Sequence, residues 1–379
     1  MANAEREIIH GYALLQPLQN QDAGFSRWTF AERGGQQFFL KEFMDPIFPT
    51  DPKIAESLRR SRIQECEEFE RKRTRLYSTV DSASDGNAVR IVDFFRHGSR
   101  YYIVTPRIVK AQISFDRIVK LPLYQRALLC RSMAHTVMRL HSCHLVHSDI
   151  KETNIILCPA ANGNLTTKLI DFDASFFEDD PPVCEDELGG DQVYLSPEAC
   201  RFLCGEEVQL TCAMDVFSLG LLFHQYLTGK LPDFDTKEYF YAHEAVLNDE
   251  VLGVAPYLDA TLRTMLQKML ACDPAERCTM EEAYKTLGKF IDLDPCRTGT
   301  VPANIIQMGN DFFPTGPNRH VKARTTRLKG SNLLSNADPG DSDLSHVIKG
   351  FNREAEPSAP SGAGTGQDPS AWFNLGGSL

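Results

Sequence analysis

Four polar side chains in the middle of the chain have types and spacings that suit phosphoryl transfer. Lys151 lies two residues after Asp149, Asn154 lies five after it, and Asp171 comes seventeen residues after Asn154. A carboxylate can orient an attacking hydroxyl, and Mg²⁺ prefers carboxylate and carbonyl oxygens as ligands. We therefore predict that Asp149 acts on the hydroxyl and that Asn154 and Asp171 bind Mg²⁺. Lys151 is the cation that can contact the transferred phosphoryl group.

The motifs around these residues resemble those of a known enzyme family. Residues 147–154 and the turn 171–173 are similar to the catalytic loop and the metal-binding turn of eukaryotic-type (Hanks-type) serine/threonine protein kinases. Segments 194–198, 215–220, 227–232 and 273–277 agree with that family in order and spacing. The match runs from about residue 10 to residue 292, and it implies that Arg277 bridges Glu198.

The resemblance implies ATP and Mg²⁺ as cofactors and an unidentified protein as substrate. It gives Lys41 the role of holding the α- and β-phosphates while pairing with a glutamate of a helix. Several glutamates of the predicted helix 54–80 could be this partner, and we favour Glu70, followed by Glu65.

Two backbone segments are also implied to contact the nucleotide. Ala23 and Gly24 lie in the stretch that aligns with the phosphate-covering loop. Residues 105–108 align with the hinge, where adenine bonds to backbone groups. Pro106 has no N–H and can offer only its carbonyl group, and Ile108 can supply the donor.

The sequence departs from the family pattern in three places. The phosphate-covering loop has Ala23 and Ser26 where glycines are usual, and Asp173 replaces the glycine at the end of the metal-binding turn. Ser148 replaces the arginine that, in many protein kinases, grips a phosphorylated activation loop.

The segment at residues 174–197, between the metal-binding turn and Glu198, contains no threonine and is rich in acidic residues. We call it the acidic segment. Together with the missing arginine, this composition predicts activity that does not need phosphorylation of the loop.

Two other functions remain open. The glycine-poor loop and Asp173 would suit a pseudokinase, a folded scaffold or binding module, although Lys41 and the residues of the catalytic loop are present. The spelling Asp-Phe-Asp also resembles small-molecule phosphotransferases of the aminoglycoside and choline kinase type. Against the latter stand residues 196–198, residues 215–220 and Arg277, which by resemblance belong to the platform for protein substrates.

The predicted fold class is α+β, with a two-lobed protein-kinase-like architecture and a disordered tail. Residues 10–107 form the β-rich N-lobe with one long helix, residues 108–294 form the helical C-lobe, and residues 295–379 form the tail. Periodicity predicts strands over 38–43, 89–95 and 101–105 and helices over 54–80, 123–141, 213–228, 259–271 and 279–291.

The composition is that of an acidic globular protein. A net charge of −11 argues against nucleic acid as a general partner. No apolar run reaches the ~18–20 residues needed to cross a bilayer. The first residues lack a signal-peptide pattern, so we predict a cytoplasmic protein without membrane insertion.

The 11 cysteines lack zinc-type spacing and are expected to be reduced thiols. Residues 371–375 near the C-terminus could be a short motif that docks a partner, or simply part of a solvated tail.

Overall fold

The computed structural model describes residues 6–20, 26–160 and 164–293, which form a β-rich lobe followed by a helical lobe. The first lobe contains a six-stranded antiparallel sheet with the strand order β1-β2-β3-β4-β6-β5. Its strands are β1 (Ile8–Ile9), β2 (Tyr12–Leu14), β3 (Ser26–Arg33), β4 (Gln36–Phe43), β5 (Asp93–His97) and β6 (Arg100–Pro106). One long helix, α1 (Glu56–Ala83), lies between β4 and β5 in the chain.

A two-residue turn sets the register of the central strands. Gly34 and Gly35 both have positive φ, at 60° and 76°, the conformation that two-residue hairpin turns need and that glycine adopts without strain. The turn makes Arg33 the partner of Gln36 and thereby brings Lys41 opposite Trp28 on one side. On its other side, Lys41 lies opposite Ile103 of β6, which places it in the middle of the sheet.

The second lobe consists mainly of helices, with two short antiparallel strand pairs near the junction of the lobes. Its elements in chain order are α2 (Phe115–Ile118), α3 (Leu123–His141), β7 (Leu145–Val146), β8 (Ile155–Pro159), β9 (Leu165–Leu169), β10 (Phe176–Phe177), α4 (Pro197–Leu203), α5 (Ala213–Thr228), α6 (Ala242–Leu247), α7 (Ala260–Met269) and α8 (Met280–Leu293). Strand β7 pairs with β10, and β8 pairs with β9.

Helix α5 lies at the centre of the helical lobe and is buried from Met214 to Leu227. Gly220 permits this packing, because a Cβ at that position would lie 2.9 Å from the Leu270 side chain. The polar side chains of α5 are satisfied inside the lobe. His224 accepts the N–H of Ala255 at Nε2 (3.1 Å), and Gln225 accepts the hydroxyl of Tyr194 (2.8 Å).

Most of the predicted elements agree with the structure, and the α+β two-lobed fold is confirmed. Helices 123–141 and 213–228 have the predicted limits, and the others differ by a few residues at their ends. Within the described residues, no helix combines the length and the apolar character that a membrane span requires. The predicted tail lies outside the described residues, and the lobe limits at 107 and 294 stay predictions.

The predicted strand 89–95 is wrong in its first half, because β5 begins only at Asp93. The N–H of Val89 donates to the carbonyl of Leu169 (2.8 Å), and the N–H of Leu169 donates to the carbonyl of Asn87 (2.8 Å). These residues therefore bond to the end of β9 in the helical lobe and not to the sheet. Alternation of apolar residues identifies an extended segment but not the partner to which it bonds.

Candidate active site

A buried carboxylate on α5 holds the backbone of the predicted catalytic loop. Asp215, which is 1% exposed, accepts the N–H of His147 at 2.8 Å and the N–H of Ser148 at 2.9 Å. Its Oδ2 also lies 2.9 Å from Nε2 of His141. Ser148 has φ of 69°, which is uncommon for a residue other than glycine. The hydrogen bonds to Asp215 hold the backbone of the loop at Ser148, the residue directly before Asp149.

The structure brings together the three polar residues predicted for this loop. Lys151 Nζ lies 2.8 Å from Oδ2 of Asp149, and Asn154 Nδ2 donates to the same oxygen at 2.9 Å. The Asn154 amide also donates to the backbone carbonyl of Asp149 at 2.8 Å. Oδ1 of Asp149 is buried and has no hydrogen-bond partner in the part of the chain that the structure describes. It is therefore an acceptor that lacks a donor among these residues.

Lys151 is surrounded by acidic groups. Burial acts to lower the pKa of Lys151, but Asp149 and Asp191 outweigh this effect and raise it. The carboxylate of Asp191 accepts the N–H of Val193 at 3.0 Å, and burial raises its own pKa. Lys151 thus remains a charged group beside the free oxygen of Asp149.

The turn 171–173, which the sequence predicts to bind metal, carries two carboxylates that both contact Lys41. Lys41 Nζ lies 3.0 Å from Oδ1 of Asp171 and 2.6 Å from Oδ2 of Asp173. Burial disfavours the charged lysine, but the two carboxylates outweigh it and raise the pKa of Lys41. Burial likewise opposes ionisation of Asp171, whereas the charge and hydrogen bond of Lys41 lower the pKa of that carboxyl below its usual value. The site therefore holds an ionised lysine and an ionised Asp171.

The prediction that Glu70, or else Glu65, pairs with Lys41 is wrong. Oε1 of Glu70 accepts the hydroxyl of Tyr101 at 2.6 Å, so this side chain is directed to β6. Helix α1 is described in full, and none of its glutamates forms an ion pair with Lys41. The side chain of α1 that hydrogen-bonds to the backbone of the turn 171–173 is Arg73, three residues after Glu70. It donates to the backbone carbonyls of Phe172 (3.3 Å) and Asp173 (2.9 Å).

A cleft between the sheet and the helical lobe leads to these charges. Its lining includes the predicted hinge residues Pro106 and Ile108, together with Lys41 and residues 171–173. Phe30 and Phe39 also line it, and the sequence analysis missed both. Alternation along β4 could have identified Phe39, because residues two apart on a strand share a face and Phe39 lies two residues before Lys41. Ala23 and Gly24 lie outside the described residues.

The predicted bridge between Glu198 and Arg277 is confirmed. Nη1 and Nη2 of Arg277 donate to the two carboxylate oxygens of Glu198 at 2.6 and 2.8 Å, and both side chains are buried. The guanidinium also donates to the backbone carbonyls of Ala213, Ala271 and Cys272. This bridge joins α4, which follows the acidic segment, to the start of α5.

The donor set near the turn fits Mg²⁺. Asn154 offers an amide oxygen, and Asp171 offers a carboxylate with a lowered pKa. In the described ranges there is no group of three or more His, Cys, Asp or Glu side chains that could hold a metal ion. Mg²⁺ does not need such a group, since it is usually bound by one or two carboxylates together with substrate phosphates and water.

Comparisons with known proteins agree with this geometry. A family model described as protein kinase domain matches residues 57–287, which is well over half of the chain. The chain is 25% identical over 197 residues to Aurora kinase A-A of Xenopus laevis, covering 52% of this chain and 45% of that protein. It is 26% identical over 287 residues to calcium-dependent protein kinase 27 of Arabidopsis thaliana, covering 73% and 54%. With serine/threonine-protein kinase ULK3 of Xenopus laevis it shares 25% over 247 residues, covering 65% and 46%. The chain spans about half the length of these relatives.

Proposed function

The chain belongs to the protein kinase family, and from this premise we propose that it transfers the γ-phosphoryl group of ATP to a serine or threonine hydroxyl of a protein. The observation that carries the proposal is the state of Asp149. One of its oxygens is fixed by Lys151 and Asn154, and the other is buried without a partner among the described residues. A substrate hydroxyl that donates its hydrogen to this second oxygen would supply the hydrogen bond that it lacks.

Some residues of the site bind the nucleotide and the metal, and Asp149 accepts the proton. Asp149 accepts the hydrogen of the substrate hydroxyl and directs its oxygen along the line of attack, while Lys151 balances charge beside it. Lys41 contacts the α- and β-phosphates. Mg²⁺, when bound, neutralises negative charge on the phosphates, and Asn154 and Asp171 would hold it. Positioning and fixed charges supply most of the acceleration in such sites.

The cleft supports adenine binding. Its aromatic and aliphatic side chains, Phe30, Phe39 and Ile103, form an apolar lining, and the hinge residues Pro106 and Ile108 add backbone polar groups at its edge. The buried bridge between Glu198 and Arg277 favours a protein substrate over a small molecule, since by resemblance it belongs to the protein-substrate platform. A cytoplasmic location and a partner for the C-terminal tail stay predictions from the sequence.

The Asp149→Asn variant tests the proposal. The amide keeps the size of the side chain but cannot take up the proton, so phosphate transfer should fall by about 10²- to 10⁴-fold. The affinity for ADP and the unfolding temperature should stay at the wild-type values, which shows that only the chemistry is lost. Transfer by the variant at a rate near that of the wild type would refute the role of Asp149.

We also propose that phosphorylation of the acidic segment is not needed for activity. Asp179 Oδ2 lies 2.8 Å from Arg75 Nη2. Asp180 Oδ1 lies 3.3 Å from Lys72 Nζ, and Asp180 Oδ2 lies 3.8 Å from Arg71 Nη2. Arg75 also stacks over the Phe177 ring, with its guanidinium 3.8 Å from the ring centroid. Two carboxylates thus already link the start of this segment to α1, the kind of contact that a phosphate group would otherwise supply.

Treatment of the purified protein with a phosphatase tests this part of the proposal, and activity should be retained. The variant Asp179→Asn/Asp180→Asn should lose activity several-fold, since it removes both carboxylates that link the segment to α1. The matched control is Glu185→Gln/Asp186→Asn, which removes the same charge from residues that form no ion pair with α1. If phosphatase treatment of the wild-type protein abolishes activity, the proposal that phosphorylation of the acidic segment is not needed is contradicted.

A further inference from the structure

We infer that Asp173 is the carboxylate that positions Lys41 for the nucleotide phosphates, the role that a glutamate of α1 was expected to have. The inference rests on the proposed function, because it concerns how Lys41 contacts the phosphates of ATP. Oδ2 of Asp173 lies 2.6 Å from Lys41 Nζ, closer than the 3.0 Å contact of Asp171. Asp173 can keep this contact while Asp171 binds the metal.

Two glutamates of α1 are engaged with other side chains. Glu70 accepts the hydroxyl of Tyr101 on β6, and Glu68 accepts two hydrogen bonds from Arg71 of its own helix. The side chain of α1 that hydrogen-bonds to the backbone of the metal-binding turn is a cation, Arg73. Compared with the expected arrangement, the carboxylate has moved from the helix to the turn, and the helix presents a positive charge.

Arg73 holds the backbone from which the Asp173 side chain projects. Its two hydrogen bonds go to the carbonyls of Phe172 and Asp173. Its guanidinium packs over the rings of Phe43 and Phe69, at 5.4 and 5.3 Å from their centroids, which fixes its position. Since the contact uses backbone atoms, it leaves the carboxylate of Asp173 available to Lys41.

The backbone conformation at Asp173 also accommodates a side chain. Asp173 is not among the described residues with positive φ, whereas Asp171 is, at 63°. A residue with a Cβ is therefore tolerated at this position without backbone strain, although the family pattern has glycine there. The carboxylate lies on the same short turn as Asp171, so one turn aligns Lys41 with the predicted metal ligand.

The kinetic test begins with Asp173→Asn in the full chain. We expect kcat to fall by more than about tenfold while KM for ATP changes little, because alignment of Lys41 matters most in the transition state. The unfolding temperature of the nucleotide-free variant should match the wild type. Asp173→Gly is a second replacement, because it removes the carboxylate and keeps the backbone carbonyl that Arg73 binds. A wild-type kcat in both variants would overturn the inference.

A relocated carboxylate provides a stricter test. Arg73→Glu combined with Asp173→Gly returns the acid to the helix and the glycine to the turn, and it should recover much of the lost kcat. The control Arg73→Met/Asp173→Gly removes the same arginine without adding a carboxylate and should recover nothing. Equal recovery in both double variants would contradict the inference, since the new carboxylate would then be irrelevant.

A crystal structure of the wild-type chain with Mg-ADP gives a readout that does not depend on activity. We expect Lys41 Nζ to contact both Asp173 and a phosphate oxygen. Asp173 bound to the metal and separated from Lys41 would overturn the inference. A wild-type chain that shows no phosphate transfer while keeping the Lys41–Asp173 contact would instead count against the proposed function.

Discussion

The two carboxylate oxygens of Asp149 lie in different surroundings, which limits what this residue can do. Oδ2 is occupied by Lys151 and Asn154, and Oδ1 has no partner among the described residues. An ionised carboxylate can accept several hydrogen bonds, and leaving a buried acceptor unsatisfied is costly. A donor supplied by the substrate would remove that cost, which is why we assign the substrate hydroxyl to Oδ1.

The residues of the catalytic loop could be predicted because they lie close together in the sequence. Asp149, Lys151 and Asn154 are within six residues, so the local chain path alone brings them together. The partner of Lys41 could not be predicted in this way. Glu70 and Arg73 lie on nearly the same face of α1, and the step of three residues from one to the other corresponds to about 4.5 Å along the helix axis. The apolar pattern predicts the buried face but not the position of the helix along its axis.

His243 should make the stability of the protein sensitive to mild acid. It is 2% exposed, and burial lowers the pKa of its side chain from 6.5 to about 4. Between these two pH values the unfolded chain binds a proton at His243 and the folded chain does not. The free energy of unfolding should therefore fall as the pH is lowered through this interval. The loss should reach a few kcal/mol, since each pKa unit corresponds to about 1.4 kcal/mol.

Urea unfolding of the wild type and of His243→Gln between pH 7 and pH 4 measures this effect. The variant should show a shallower decrease in stability, because it has no imidazole to protonate. His97→Gln, at an exposed position, is the control and should follow the wild type. Parallel pH profiles for wild type and His243→Gln would contradict the assignment.

At the scale of secondary-structure elements, the link between Glu198 and Arg277 joins three parts of the helical lobe. Glu198 is in the first turn of α4, and Arg277 lies between α7 and α8. Arg277 also binds the carbonyl of Ala213, the first residue of α5. Because α5 carries Asp215, which holds the catalytic loop, the bridge connects the acidic segment with the site through two elements.

Removal of one partner of this buried pair should destabilise the protein strongly. Glu198→Ala leaves the guanidinium of Arg277 without its carboxylate, and the expected loss is about 3–5 kcal/mol. The matched control is Glu206→Ala, which breaks an exposed pair with Arg201 and should cost far less stability. Chemical denaturation measures both values. Losses of similar size in the two variants would contradict a structural role for the bridge.

Helices were easier to predict than strands for a physical reason. Helix α5 forms its hydrogen bonds within one continuous segment and ends at Gly229, whose φ of 90° suits glycine. Both signals are local in the sequence. A strand forms its hydrogen bonds with a partner elsewhere in the chain. Residues 88 and 89, the second of which is predicted to belong to the same strand as β5, bond to the end of β9 and not to the sheet.

At the scale of the whole molecule, each lobe supplies part of the site. The sheet provides Lys41, and the helical lobe provides Asp149, Asn154 and the metal-binding turn. Backbone hydrogen bonds between residues 87–89 and Leu169 tie the lobes together just before that turn. The two-lobed fold could be predicted from the order of strands and helices. The presence of a carboxylate on the turn and of Arg73 on α1, in place of a glutamate on α1, could not be predicted. It depends on how α1 packs against both lobes.

The most direct test of the proposed kinase activity is phosphate transfer from γ-labelled Mg-ATP, to the protein itself and to a generic basic protein, with Asp171→Ala as the control. We expect incorporation that requires Asp171 and that yields phosphoserine or phosphothreonine after acid hydrolysis. The absence of labelled protein while nucleotide binding is still measurable would contradict it and favour a small-molecule acceptor. The absence of both transfer and nucleotide binding would contradict it in favour of a pseudokinase scaffold.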